Sequence, residues 1–230
     1  MGLSDPRRFR RQAAGASMIV APVVLVVAEL LHARFETDAA KQLEAVADNT
    51  GRWYAAHGLV IVGFALTVRA LLGLVHLLGR SRAALGHLSL VAFAPSLVAV
   101  SAIVGMELVL WQMAQPSANR DEMVALAERL NESAGVVAVF LVALLFPLAW
   151  LLVGIGLYLT RAVPAWAAVL IALSQPIGFV GELSGGPKAL AVAAQIAFAI
   201  GLIPVGVRVL RQSDGEWEQE RVAGPTPVTA

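Results

Sequence analysis

The chain has no cysteine, which excludes disulfides, thiolate nucleophiles, iron–sulfur clusters and zinc–thiolate sites. Lysine is almost missing too: only Lys41 and Lys188 are present, and the other basic side chains are arginine. Charged residues make up 14% of the 230, against roughly 25% in a soluble domain, while 58% are hydrophobic. The net charge of +1 gives no electrostatic footprint for nucleic acid, which is therefore not expected as a partner. No P-loop, H-E-x-x-H or G-x-S-x-G signature occurs, and Ser184-Gly185-Gly186-Pro187 reads as a turn rather than a phosphate cradle. Nothing in the sequence marks an enzyme, and no cofactor is predicted, although metal and haem stay open.

Long apolar runs are what the chain has in abundance. A membrane-spanning helix needs about 20 mostly apolar residues. Six stretches meet this, at 16–33, 56–78, 87–113, 135–159, 163–182 and 188–210. The expected fold is an all-α, polytopic helix bundle in lipid. It divides into a basic N-terminus (1–15), the six-helix transmembrane domain (16–210) and a disordered tail (211–230). Five spans carry an internal proline, tolerated because neighbouring helices can satisfy the freed carbonyl. Ala189, Ala193, Ala197 and Gly201 recur every four residues and predict close packing of the sixth span within the bundle.

Charge asymmetry gives the orientation. With both termini cytoplasmic, the inner segments hold ten Lys/Arg and the outer ones six, diluted by eight acids from Glu36 to Glu132. This predicts a multi-pass protein of the cell membrane, with the basic start belonging to the first span rather than to a cleaved signal. The two longer outer loops each show a helical apolar face, Ala39/Leu43/Val46/Ala47 and Met123/Leu126/Ala127/Leu130, predicting short amphipathic helices at 38–48 and 119–131.

An ionisable or amide side chain within a span is a site candidate. Arg69, Glu107, Glu29, His32, His57, Gln112, Gln175 and Gln195 form that set, and all but Arg69 fall in the outer halves of their spans. The cluster predicts an outward polar pocket for a small molecule, a transport-like role, or a buried polar network that only fixes packing. Arg69, near mid-span, is expected to face inward and pair with Glu107. Glu29-x-x-His32 puts a carboxylate and an imidazole on one helix face, and His57 and Glu107 would complete a metal site if spans one to three converge. The four histidines fall as an outer pair, His32 and His57, and an inner pair, His76 and His87, the pattern of two bis-histidine haems. Trp53, Tyr54, Trp111 and Trp166 lie at span ends, as interfacial aromatics do. The sequence leaves homo-oligomerisation undetermined.

The segments Ala28–His32, Gly51–His57, Met106–Gln112 and Arg161–Pro164 resemble those of uncharacterised six-span bacterial integral membrane proteins. The likeness covers most of the chain. It implies the six-span topology and brings no activity or site residues with it.

Overall fold

The computed structural model describes residues 5–223, and among them all regular structure is helical. Six helical segments are long and apolar enough to cross a membrane, and the chain is an integral membrane protein. They are α1 (Pro6–Leu31), α3 (Thr50–Leu78), α4 (Ala83–Met113), the pair α6 (Ala134–Ala143) and α7 (Leu145–Thr160), α8 (Ala165–Leu183) and α9 (Lys188–Arg211). The fourth span is broken at Leu144 because Pro147 has no N–H for the Ala143 carbonyl and its ring crowds that carbonyl. The prolines of α1, α4, α8 and α9 lie inside uninterrupted helices.

Each span packs on the next, and α9 closes back on α1, so the six form a ring in chain order. Where α1 and α9 cross, a Cβ on Gly206 would stand 2.7 Å from the Gly15 carbonyl oxygen, so this approach requires glycine. Between α7 and α8, a Cβ on Gly154 would overlap the backbone of Ala172. The interior is filled by Leu71, Leu74, Trp150, Leu157, Ile171, Phe198 and Leu202, while Val91, Val98, Ile61 and Ile200 are exposed on the outside. An outside as apolar as the interior suits a bundle whose solvent is hydrocarbon.

The predicted small-residue stripe on α9 is not the packing face. Ala189 and Ala193 are exposed, and the buried positions are Ala191, Ala194, Phe198, Gly201, Leu202 and Val205. At 3.6 residues per turn, a four-residue step advances about 40° around the helix. The stripe therefore winds from the outside at Ala189 onto the inside at Gly201.

The two loop helices are present, as α2 (Ala39–Asp48) and α5 (Arg120–Asn131), with Asp38 and Asn119 capping their first turns. Leu43 and Val46 of α2 and Ala127 of α5 join Trp53 and Met113 in a second, smaller core at the end of the bundle opposite the termini. Ala47, assigned to the buried face of α2, is exposed.

The tail expected to be disordered is helical over α10 (Asp214–Ala223), while 224–230 lie outside the described residues. The Ser213 hydroxyl accepts from the Glu216 N–H at 3.2 Å, and the Glu216 carboxylate accepts from the Ser213 N–H at 2.6 Å, which forms a capping box. Trp217 is 2% exposed and stacks on His76, with 3.9 Å between ring centroids and 8° between planes. Arg11 of α1 donates to Asp214 and to the Val209 and Leu210 carbonyls, and Arg10 pairs with Glu218. A buried tryptophan and a capped first turn give this acidic segment a reason to fold.

Candidate functional site: a histidine–carboxylate cluster beside a phenylalanine-lined cavity

At the end away from the termini, α1, α3 and α4 bring three predicted residues together. His32 ends α1, His57 lies two turns into α3, and Glu107 lies two turns before the end of α4. One ligand-capable atom from each falls within 4.8 Å of the others. The His57 Nε2 is 2.8 Å from Glu107 Oε2, and the imidazole is fully enclosed. The Nδ1–H of His57 donates to the Trp53 carbonyl one turn earlier, at 2.6 Å. The Nδ1–H of His32 donates to the Ala33 carbonyl, also at 2.6 Å.

Trp53 holds the cluster. Read from sequence as an interfacial aromatic, it is wholly buried, with its indole against both imidazoles at centroid distances of 4.7 and 4.5 Å. Its Nε1–H donates to the Glu107 carbonyl oxygen at 2.9 Å. Trp53 and His57 are one turn apart and so share a face, the signal in the sequence that set Trp53 apart from Tyr54, which is 59% exposed.

His32 and Glu107 also form part of the wall of a cavity of about 180 Å³. That is roughly an order of magnitude above the ~10–15 Å³ needed to house one water. Its other polar groups are Glu29, Glu182, Gln175 and Gln195, and its apolar wall includes Phe35, Phe64, Phe140, Phe146 and Phe179, five of the eight phenylalanines in the chain. Gln175 donates to Gln195 at 3.3 Å, bridging α8 and α9. Glu29 is paired with Lys188, which opens α9. Glu182 has no hydrogen-bond or ion-pair partner among the described residues.

Two of the eight predicted residues lie elsewhere. Arg69 does not meet Glu107: it is exposed on the outside of the bundle, with its guanidinium 5.4 Å from the centroid of the Phe9 ring. A long flexible stem lets an arginine run along its helix toward the membrane edge instead of seeking a buried partner, and a ring face is a favourable place to end. Gln112 is likewise exposed on α4. Glu29 lines the same cavity as His32 but does not join its ligand set as the Glu-x-x-His spacing had suggested, because Lys188 takes its carboxylate. The paired-haem arrangement does not fit either. The His32 and His57 rings are in contact at 4.9 Å, leaving no plane for a macrocycle between them. Of the inner pair, His76 is covered by Trp217 and His87 is exposed.

Lys188 and Glu182 were legible as charges, but their roles were not. Lys188 follows a turn and counts toward loop charge, and only the folded α8–α9 corner turns it onto Glu29. No protein-family model, curated protein or solved structure matches this chain.

Proposed function

We propose that this protein binds a small amine with an apolar, preferably aromatic, body in the cavity at the histidine–carboxylate end, taking it from outside the cell. The observation that carries the reading is the pairing of chemistries in one cavity: three carboxylates, Glu29, Glu107 and Glu182, against five phenylalanine rings. An ammonium group gains from both a carboxylate and the faces of aromatic rings, and it gains most where water is scarce. Glu182, unpaired at the edge of the cavity, is the group that would receive it. The excess of arginine at the end that carries the termini supports a cytoplasmic placement of that end, which leaves the cavity facing outward. A carrier or receptor role fits such a site better than a purely structural one, since the carboxylates and the phenylalanine rings border an open cavity instead of packing against one another.

The absence of native cysteine makes the test direct. Leu183→Cys, on the wall of the same cavity and leaving the carboxylates in place, is the single thiol of its chain. In intact cells it should react with an impermeant methanethiosulfonate reagent, and phenethylamine should slow that reaction several-fold. Failure to label from outside, or labelling that the amine does not slow, would overturn the reading.

A further inference from the structure

We propose that His32, His57 and Glu107 form a mononuclear site for a divalent transition-metal ion of the zinc class. The site shares Glu107 with the cavity of the amine reading, but its test uses metal alone and so fails or succeeds independently.

The argument begins with hydrogen-bond donors. A carbonyl oxygen can only accept, so the Trp53 carbonyl at 2.6 Å requires the ring proton of His57 to sit on Nδ1. The Nε2 of a neutral ring is then a bare lone pair, and it faces a carboxylate oxygen at 2.8 Å. Two lone pairs at that distance repel unless a positive centre lies between them. The Ala33 carbonyl fixes His32 in the same way, leaving its Nε2 as the free nitrogen.

Both imidazoles therefore have the tautomer of a metal ligand, with Nδ1–H tied to the main chain and Nε2 available. This is the outer-shell arrangement that orients histidine on zinc. Two imidazoles and one carboxylate are the protein ligands of open zinc sites, in which the fourth position is left for water or substrate. Hard cations such as calcium and magnesium want oxygen ligands and are poorly served here.

The three ligand atoms lie within 4.8 Å of one another, so small side-chain movements would bring them onto one ion. With metal–nitrogen and metal–oxygen bonds of about 2.0–2.1 Å in tetrahedral geometry, adjacent ligand atoms stand about 3.3 Å apart. The His57–Glu107 contact has to open by only about 0.5 Å, and Glu107 is on the cavity wall with room to turn. The ligands come from three different helices, and Trp53 fixes the spacing of two of them by its indole bond to the Glu107 carbonyl. The open side of the cluster is the cavity, which His32 and Glu107 both line.

The competing account is a proton in place of the metal, as a plain histidine–glutamate ion pair. His32 separates the two, because it takes no part in that pair. Full-length protein in detergent is stripped with a chelator and titrated with Zn²⁺, and in parallel with Co²⁺. The expected result is one Zn²⁺ per chain, a visible Co²⁺ ligand-field band, and a melting temperature that rises with Zn²⁺. His32→Ala should keep helix content and monodispersity but lose affinity by about 100-fold or more. Gln112→Ala, exposed on α4 and outside the cavity wall, should leave binding unchanged. Wild type that takes up no more Zn²⁺ than His32→Ala, with no Co²⁺ band, would overturn the proposal. Should His32→Ala not fold, His32→Gln replaces it under the same two outcomes.

Discussion

Lys188 at the first turn of α9 is ion-paired with Glu29 in the last turns of α1, across the seam where the ring of helices closes. Glu29 is 13% exposed and has no other hydrogen-bond partner among the described residues. Lys188→Met should therefore lower stability by about 2–3 kcal/mol, because it leaves a mostly enclosed carboxylate without its counter-charge. The double change Lys188→Met with Glu29→Met should recover to within about 1 kcal/mol of wild type. Thermal unfolding in detergent reads both. A double variant no better than the single would show that the pair is not the seam's electrostatic tie.

Arg69 gives the opposite expectation. It is exposed beside Phe9 and far from the acids of the cavity. Arg69→Leu should fold normally, with a stability change within about 0.5 kcal/mol. Combined with Glu107→Gln, its effect should simply add, to within about 0.5 kcal/mol, as for separated sites. A coupling of more than about 1 kcal/mol would mean that the two side chains meet after all.

The α10 contact carries a pH dependence. Glu216 is held below the usual carboxylate range, first by the Ser213 N–H and then by the Ser213 side chain. A depressed carboxylate contributes stability at neutral pH that is lost as pH falls through its lowered value. Docking of α10 should accordingly loosen on acidification. In Glu216→Gln that acid step should vanish, and docking at neutral pH should already be weaker. Trypsin cleavage after Arg211, which is exposed, measures it: faster at neutral pH in Glu216→Gln, and faster still in Trp217→Ala, which removes the stack on His76. Equal cleavage rates in all three proteins would remove Trp217 and Glu216 from the docking contact.

The bundle was legible because hydrocarbon length is a strong constraint, and a run such as 163–182 has no other reading. The loop helices were legible from period: Leu43 and Val46 repeat at three residues, and Ala127 and Leu130 do the same. Most of the site was legible as a set, since Glu29, His32, Glu107, Gln175 and Gln195 all reach the cavity and His57 backs it. The pairings were not. Depth along a helix can be read from residue number, but azimuth around it cannot, so Arg69 and Glu107 looked mutually accessible when one faces out and the other in. Ser213-Asp214-Gly215-Glu216 carries the Ser-x-x-Glu signature of a helix start, and the acidity of the segment masked it. The stacking of Trp217 on His76 joins positions 141 residues apart and has no local trace.

The ring order has a consequence for how the molecule can be cut. The spans follow one another around the circle as they do along the chain, and the last touches the first. Arg10 and Glu218, near the two ends, are 3.1 Å apart. Topologically the polypeptide is a loop opened once, and the turn at Arg80–Arg82, on the same side of the bundle, is another place to open it. A permuted chain beginning at Ala83, with an added linker joining α10 to α1, would keep every helix-to-helix neighbour it has now. The ring of spans itself has no first helix.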